Sequence, residues 1–315
     1  MNTFLATFEA VLALLGIGVI GFWIIARRIL PEEVIGVLSP LVIDIAMPCL
    51  IFSTIMTGFD PARDSGWWGL PLWWAGFTLV YAILTTILLF TVRSDIRAEF
   101  GLTLFYQNGI YVPLAVLAGL HGPDNIHMVS LFLFTIFYPA FFFNTYFLFF
   151  RKRGTAMKLN WRRIRNPILI ATLFSVGLKL TGTSGYVHGF VLSLTSILGK
   201  MALPLIILII GGSIYIDFKK REPLRLLPLV QFLLYRNILF PAVALLFIAA
   251  AGPDYRVALI LILQAAAPPL TAVPLVAEQA GGSRGVVNQF LVASFLFSAL
   301  TMPLSVWLLH LISPH

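Results

Sequence analysis

Two stretches decide how this chain folds. Gln107-Asn108-Gly109-Ile110-Tyr111-Val112-Pro113-Leu114 interrupts one apolar run of helix length. Gln264-Ala265-Ala266-Ala267-Pro268-Pro269-Leu270-Thr271-Ala272-Val273-Pro274-Leu275-Val276-Ala277-Glu278 interrupts another. Proline lacks a backbone donor and its ring clashes with the preceding turn, so a proline in mid-run frees carbonyls. In lipid no water satisfies them. Each run is therefore expected to be a helix broken near its middle, with half-helix N–H groups and positive dipole ends facing the gap.

Working outward, the solvent of both runs is lipid. Hydrophobic residues make up 59% of the 315, charged residues 11%, and the mean hydropathy is +0.95, too apolar for a water-soluble globule of this size. A hydrocarbon core about 30 Å thick takes roughly 20 apolar residues per helix. Ten such spans can be marked, at 5–26, 36–58, 67–92, 98–120, 127–150, 166–181, 187–216, 226–250, 256–279 and 286–309. The short connections leave no room for a soluble domain. The single cysteine, Cys49, excludes an intrachain disulfide and a cysteine-based metal site.

The net charge of +8 is distributed as membrane topology requires, not as nucleic-acid binding would. Sixteen of the 21 Lys and Arg residues fall on alternate connections, seven of them in the basic loop 151–165. Basic residues stay in the cytoplasm, so both termini are expected outside. The 151–165 cluster reads as a topology determinant, with a membrane-surface role as the other reading. The first span has no basic residue before it, the reverse of a signal peptide, and is expected to remain in the mature chain.

Five spans precede the basic loop and five follow it, so the halves 1–150 and 166–315 run in opposite directions. Ile45-Ala46-Met47-Pro48-Cys49-Leu50-Ile51 of span two aligns with Met201-Ala202-Leu203-Pro204-Leu205-Ile206-Ile207 of span seven. Val112-Pro113-Leu114-Ala115 of span four aligns with Val273-Pro274-Leu275-Val276 of span nine. Each pair holds the same ordinal place in its half. The fold expected is all-α and polytopic: ten transmembrane helices in two inverted five-helix repeats, with broken, crossing helices four and nine.

Gln264 to Glu278 resembles the ninth helix of the auxin efflux carrier family, including its PIN-type members, and Asn108 through Pro113 and Leu114 resembles that family's fourth helix. Asn166-Pro167-Ile168-Leu169-Ile170-Ala171, the Ala-x-Pro segments of spans two and seven, and Arg236 with Pro241 are also similar to family patterns. The match covers essentially the whole chain. It implies a scaffold of helices one, two, six and seven and a mobile transport domain of helices three to five and eight to ten. It also implies homodimers and elevator-type secondary transport of a carboxylate in the cell membrane. Plant carriers have a long polar central loop; here the loop has about fifteen residues. The chain resembles the compact bacterial members, which favours small mono- or dicarboxylates over auxin.

The substrate site is expected from Gln107, Asn108, Gly109, Tyr111, Pro113, Pro269, Thr271 and Pro274. The other reading of the breaks is a pair of proline kinks that shape packing. An isolated charge at a helix centre costs about 2.5–3.5 kcal/mol on insertion scales, so each needs a partner or a function. Asp44 and Lys200 each lie four residues before a proline, at repeat-equivalent places. They read either as a silent ion pair or as a proton carrier and a substrate attractor. Arg236 reads either as an anion ligand or as a cap on freed carbonyls. Glu278 reads as interfacial or as a coupling group, with H⁺ and Na⁺ equally open. No other cofactor, no metal and no catalytic residue is expected. All five histidines map to span ends or a terminus, and no zinc-protease or nucleophile-elbow motif occurs. The alternatives are a sodium-coupled carrier of bile-acid-symporter type, or an anion channel or sensor on the same fold.

Overall fold

Long apolar stretches in lipid can satisfy their backbone only within themselves, and helices are what the chain forms. The computed structural model describes residues 2–313 except 65, 123–124, 151–165 and 220–224. The basic loop 151–165, which separates the expected halves, lies outside the described residues, as do Lys220 and Arg221. Among the described residues seven helices are long and apolar enough to cross a membrane. They are Thr7–Ala26, Val34–Gly58, Trp67–Thr91, Ile126–Phe150, Gly189–Ile216, Leu226–Ala251 and Arg284–Ile312. Three shorter apolar helices, Tyr111–His121, Pro167–Leu180 and Tyr255–Ala266, lie between them. No strand occurs among the described residues, only an isolated antiparallel bridge between Gln107 and Pro269.

Most spans marked in the sequence return with ends shifted by a few residues, and the exceptions have local causes. The run 98–120 divides into Arg97–Phe105 and Tyr111–His121, and 256–279 into Tyr255–Ala266 and Val273–Gln279. The run 187–216 divides at Met201, three residues before Pro204. Pro48 and Pro241 are absorbed differently. Each follows a six-residue π-helix, Leu41–Ala46 and Leu234–Leu239, a widened turn that spreads the lost hydrogen bond.

Helices approach in two ways. On one side the first helix packs against Ala202–Lys219 through glycines: a Cβ on Gly211 would run into the Gly18 carbonyl, and one on Gly21 into the Leu208 backbone. Small residues bring membrane helices to backbone contact, where dispersion replaces the missing hydrophobic drive. On the other side rings fill the space. Phe232 and Phe290 stack at 4.7 Å, and Phe100 meets them edge-on at 5.3 and 5.4 Å. Buried between these sides run Phe100–Leu117 and Val257–Pro269, the two broken stretches, with little but Tyr111 partly exposed.

Candidate functional site

The first helix half stops at Phe105 without a proline. Tyr106 turns extended (φ −90°, ψ 105°), and the short polar residues that follow offer the backbone other partners. The second half stops at Ala266 for a different reason. A residue before proline is pushed out of the helical region, and Ala267, before Pro268-Pro269, sits at φ −63°, ψ 139°. The two extended links then bond across the gap. The Asn108 N–H donates to the Pro268 carbonyl at 2.7 Å, and the Leu270 N–H to the Tyr106 carbonyl at 2.9 Å. The broken helices thus cross, each supplying what the other lost.

Side chains complete the crossing. Gln107 Nε2 donates to Gln264 Oε1 at 3.1 Å, and Gln264 Nε2 donates to the Gly109 carbonyl at 2.6 Å. Tyr138 Oη–H donates to the Gln107 carbonyl. A Cβ on Gly109 would collide with Gln264 Oε1, so any side chain here would displace the Gln264 amide. Arg236 is fully buried and reaches the C-terminal ends of both first halves. Its Nε donates to the Ala267 carbonyl at 2.9 Å and an Nη donates to the same oxygen. Further donors reach the Leu104 and Gln264 carbonyls at 3.4 Å. Of its two expected roles, the capping one is what the structure displays: its donors face carbonyls. A cation there also suits the negative ends of two helices.

Asn108 differs from these neighbours. It is 0% exposed; its Oδ1 accepts from the Tyr111 N–H at 3.2 Å, and its Nδ2 has no partner. A buried donor without an acceptor is costly, and its residue is among those lining a cavity of about 580 Å³. Tyr111, Tyr138, Asn166, Thr271, Pro274, Gln279 and Arg284 line the same cavity among aliphatic and aromatic side chains. It runs from the crossing to Asn166 and Arg284, at the ends of segments that adjoin the basic connections. Arg284 is held by Glu278 at 2.9 Å. A second cavity, of about 220 Å³ and almost wholly apolar, lies beyond Tyr111, which lines both.

The eight residues expected to form the site therefore divide. Asn108, Tyr111, Thr271 and Pro274 line the cavity; Gln107, Gly109 and Pro269 build the crossing behind it; Pro113 does neither. Pro113 and Pro274 do not make the breaks. They sit in the first turns of Tyr111–His121 and Val273–Gln279, where a helix has no intrahelical N–H bond to lose. Asp44 and Lys200 stand apart from the cavity, both exposed, with no ion pair between them among the described residues. Tyr138, Asn166, Gln264 and Arg284 are the additions. Gln264 and Arg284 showed a local signal, being polar residues inside or just after an apolar run, and Asn166 opens a stretch similar to family patterns; Tyr138 showed none that sets it apart.

At the surface carrying the basic connections, Asp95 accepts from Arg225 at 2.8 Å and from Arg93 at 3.3 Å. The Arg225 hydrogen bond holds its carboxyl below the usual carboxylate range. Among the described residues no group of His, Cys, Asp and Glu could hold a metal ion.

Residues 6–307 match a family model described as membrane transport protein. The chain belongs to that family, the auxin efflux carrier family. No curated protein matches it. Family and helices together make it a multi-pass membrane transporter, and the crossing with its cavity is the family member's candidate transport site.

Proposed function

We propose that this auxin efflux carrier family member is a secondary transporter of small mono- or dicarboxylates and that it binds the carboxylate at the helix crossing. One observation carries the reading: Asn108, fully buried with its Nδ2 unpartnered, is among the residues lining the 580 Å³ cavity, where both helices lose their hydrogen-bond ladders. An anion there would accept from Asn108 and meet the positive N-terminal ends of Tyr111–His121 and Val273–Gln279. On this reading the two broken segments and Pro167–Leu180 complete ten crossings in two inverted repeats. Helices three to five and eight to ten move as an elevator against the scaffold, and the chain is a homodimer. The positive-inside rule makes the basic side cytoplasmic, so the cavity reaching Asn166 and Arg284 faces inward.

The test is a thermal-shift screen of the purified protein against small carboxylic acids, with and without sodium, since ligands that bind only the folded form raise its midpoint. A stabilising acid is expected, and Asn108→Ala is expected to weaken its binding at least tenfold while costing about 1 kcal/mol of ligand-free stability for the lost Tyr111 hydrogen bond. Counterflow of that acid in proteoliposomes separates a carrier from a channel. Undiminished binding by Asn108→Ala would remove the site from the crossing.

A further inference from the structure

The wall of the large cavity carries a single charge. Among the described residues that line it only Arg284 is ionic; Asn108, Asn166, Ser213 and Gln279 are polar but neutral. Its partner Glu278, 2.9 Å away, is half exposed and stands outside the lining. Both occupy the unfavourable helix end. Arg284 opens Arg284–Ile312, where the dipole favours an anion, and Glu278 lies in the last turn of Val273–Gln279, where it favours a cation. Exchanging the two would keep the ion pair and suit both helices better. The order found instead puts the cation on the cavity. The turn between them is closed by other means: the Gly282 N–H donates to the Ala277 carbonyl at 2.8 Å, and the Ser283 N–H donates to Glu99 Oε1 at 3.0 Å. Gly282 also lies so close to Phe150 that a Cβ would be 2.3 Å from its ring. A local choice that works against both dipoles, in a turn already held, points to function.

Val273–Gln279, about 10 Å long, stands between the crossing and the turn that leads to Arg284, which belongs to the mouth of the cavity. We propose that Arg284 is an anion-capture site there: an entering carboxylate exchanges with Glu278 on the guanidinium before it passes to the crossing. The inference rests on the carboxylate transport proposed above and adds the residue that admits the substrate. A guanidinium presents a planar fork of donors that fits a carboxylate and keeps its charge throughout the physiological range. In a cleft with apolar walls one cation raises the arrival rate of anions, and salt screens the effect. Exchange of one carboxylate for another leaves the guanidinium paired in both states, and the released Glu278, already half exposed, is taken up by water.

The test is counterflow of labelled acetate and succinate into inverted membrane vesicles, which present the cytoplasmic face to the medium, at low and high ionic strength. Arg284→Gln is expected to raise KM at least tenfold at low ionic strength with kcat within twofold of wild type, and the gap is expected to close in high salt. Glu278→Gln removes the competing carboxylate and is expected to lower KM. The decisive variant is the exchanged pair, Glu278→Arg with Arg284→Glu. It keeps the bridge and improves both helix ends, so its thermal midpoint is expected at or above that of wild type, while its KM stays as high as that of Arg284→Gln. A KM restored by the exchange would show a structural clamp and overturns the proposal. So does an unchanged KM in Arg284→Gln, or a rise that salt does not diminish. Where Arg284→Gln fails to insert, the exchanged pair decides. Failure of the transport reading looks different: the wild type itself neither exchanges nor is stabilised by either acid, and the capture site falls with it.

Discussion

The two helix breaks do the same structural work with opposite chemistry. At 106–110 the chain supplies polar side chains, the Gln107 and Asn108 amides, together with the Asn108 N–H as donor and the Tyr106 and Gly109 carbonyls as acceptors. At 267–269 it supplies stiffness and acceptors, since Pro268 and Pro269 have no N–H and their predecessors are forced extended. Two breaks of the Pro-Pro kind would lack the N–H that Asn108 donates to the Pro268 carbonyl, and two of the Gln-Asn-Gly kind would lack the stiffness of Pro268-Pro269. One of each lets the links pair through two backbone bonds and still leaves Asn108 Nδ2 without a partner. The lesson is that two breaks that meet at one crossing can carry complementary rather than similar residues.

The most disruptive way to break this complementarity is to remove the group that serves both sides. Arg236→Met takes donors from the Leu104, Gln264 and Ala267 carbonyls at once, each in a dry interior. An orphaned buried polar group costs about 1–3 kcal/mol, so the combined loss is expected to reach about 3 kcal/mol or more. The measurement is the thermal midpoint in detergent, with a drop larger than for any other variant considered. Arg236→Lys keeps the charge but has a single ammonium for spread acceptors, and is expected to recover only part of the loss. A midpoint unchanged in Arg236→Met would mean the breaks need no common cap.

Next in size is Gly109→Ala. The added methyl would occupy the place of Gln264 Oε1, so Gln264 must leave both Gln107 and the Gly109 carbonyl. Losing this bridge is expected to cost about 2 kcal/mol and to lower carboxylate binding in parallel. Gly177→Ala is the control: its added methyl meets nothing within 4 Å in the Pro167–Leu180 helix, and alanine is the better helix former. Equal midpoints for the two alanine variants would show that the glutamine bridge contributes nothing.

How much of this was legible in the sequence depended on contrast. Gln107-Asn108-Gly109 and Pro268-Pro269 stood out because polar and donorless residues are conspicuous in apolar runs, and both proved to lie at the crossing. Tyr138 reaches the cavity through tertiary packing, which the sequence marks poorly in a membrane because lipid-facing and core-facing positions are equally apolar. Pro113 and Pro274 were misplaced for a different reason. A proline in the first turn of a helix cannot be told from one in the middle until the helix start is known. The matched spacing of Asp44 and Lys200 before their prolines is a statement about sequence, not contact, and no ion pair joins them among the described residues.

The smallest expected effect is the sharpest probe of the second break. Pro268→Ala restores an N–H and relaxes the restriction on Ala267, but Pro269 still holds residue 268 extended. The bridge depends on the carbonyl of residue 268, which accepts from Asn108 at 2.7 Å whatever its side chain. If the crossing is what keeps the link extended, the variant is expected to lose less than about 1 kcal/mol, with carboxylate binding within twofold of wild type. Asn108→Pro makes the converse change, deleting the donor of that bond together with the free amide, and is expected to lose both stability and binding. A Pro268→Ala variant as impaired as Gly109→Ala would show that the second break stands by its own stiffness, and the pairing of donors with acceptors would then follow from the breaks rather than maintain them.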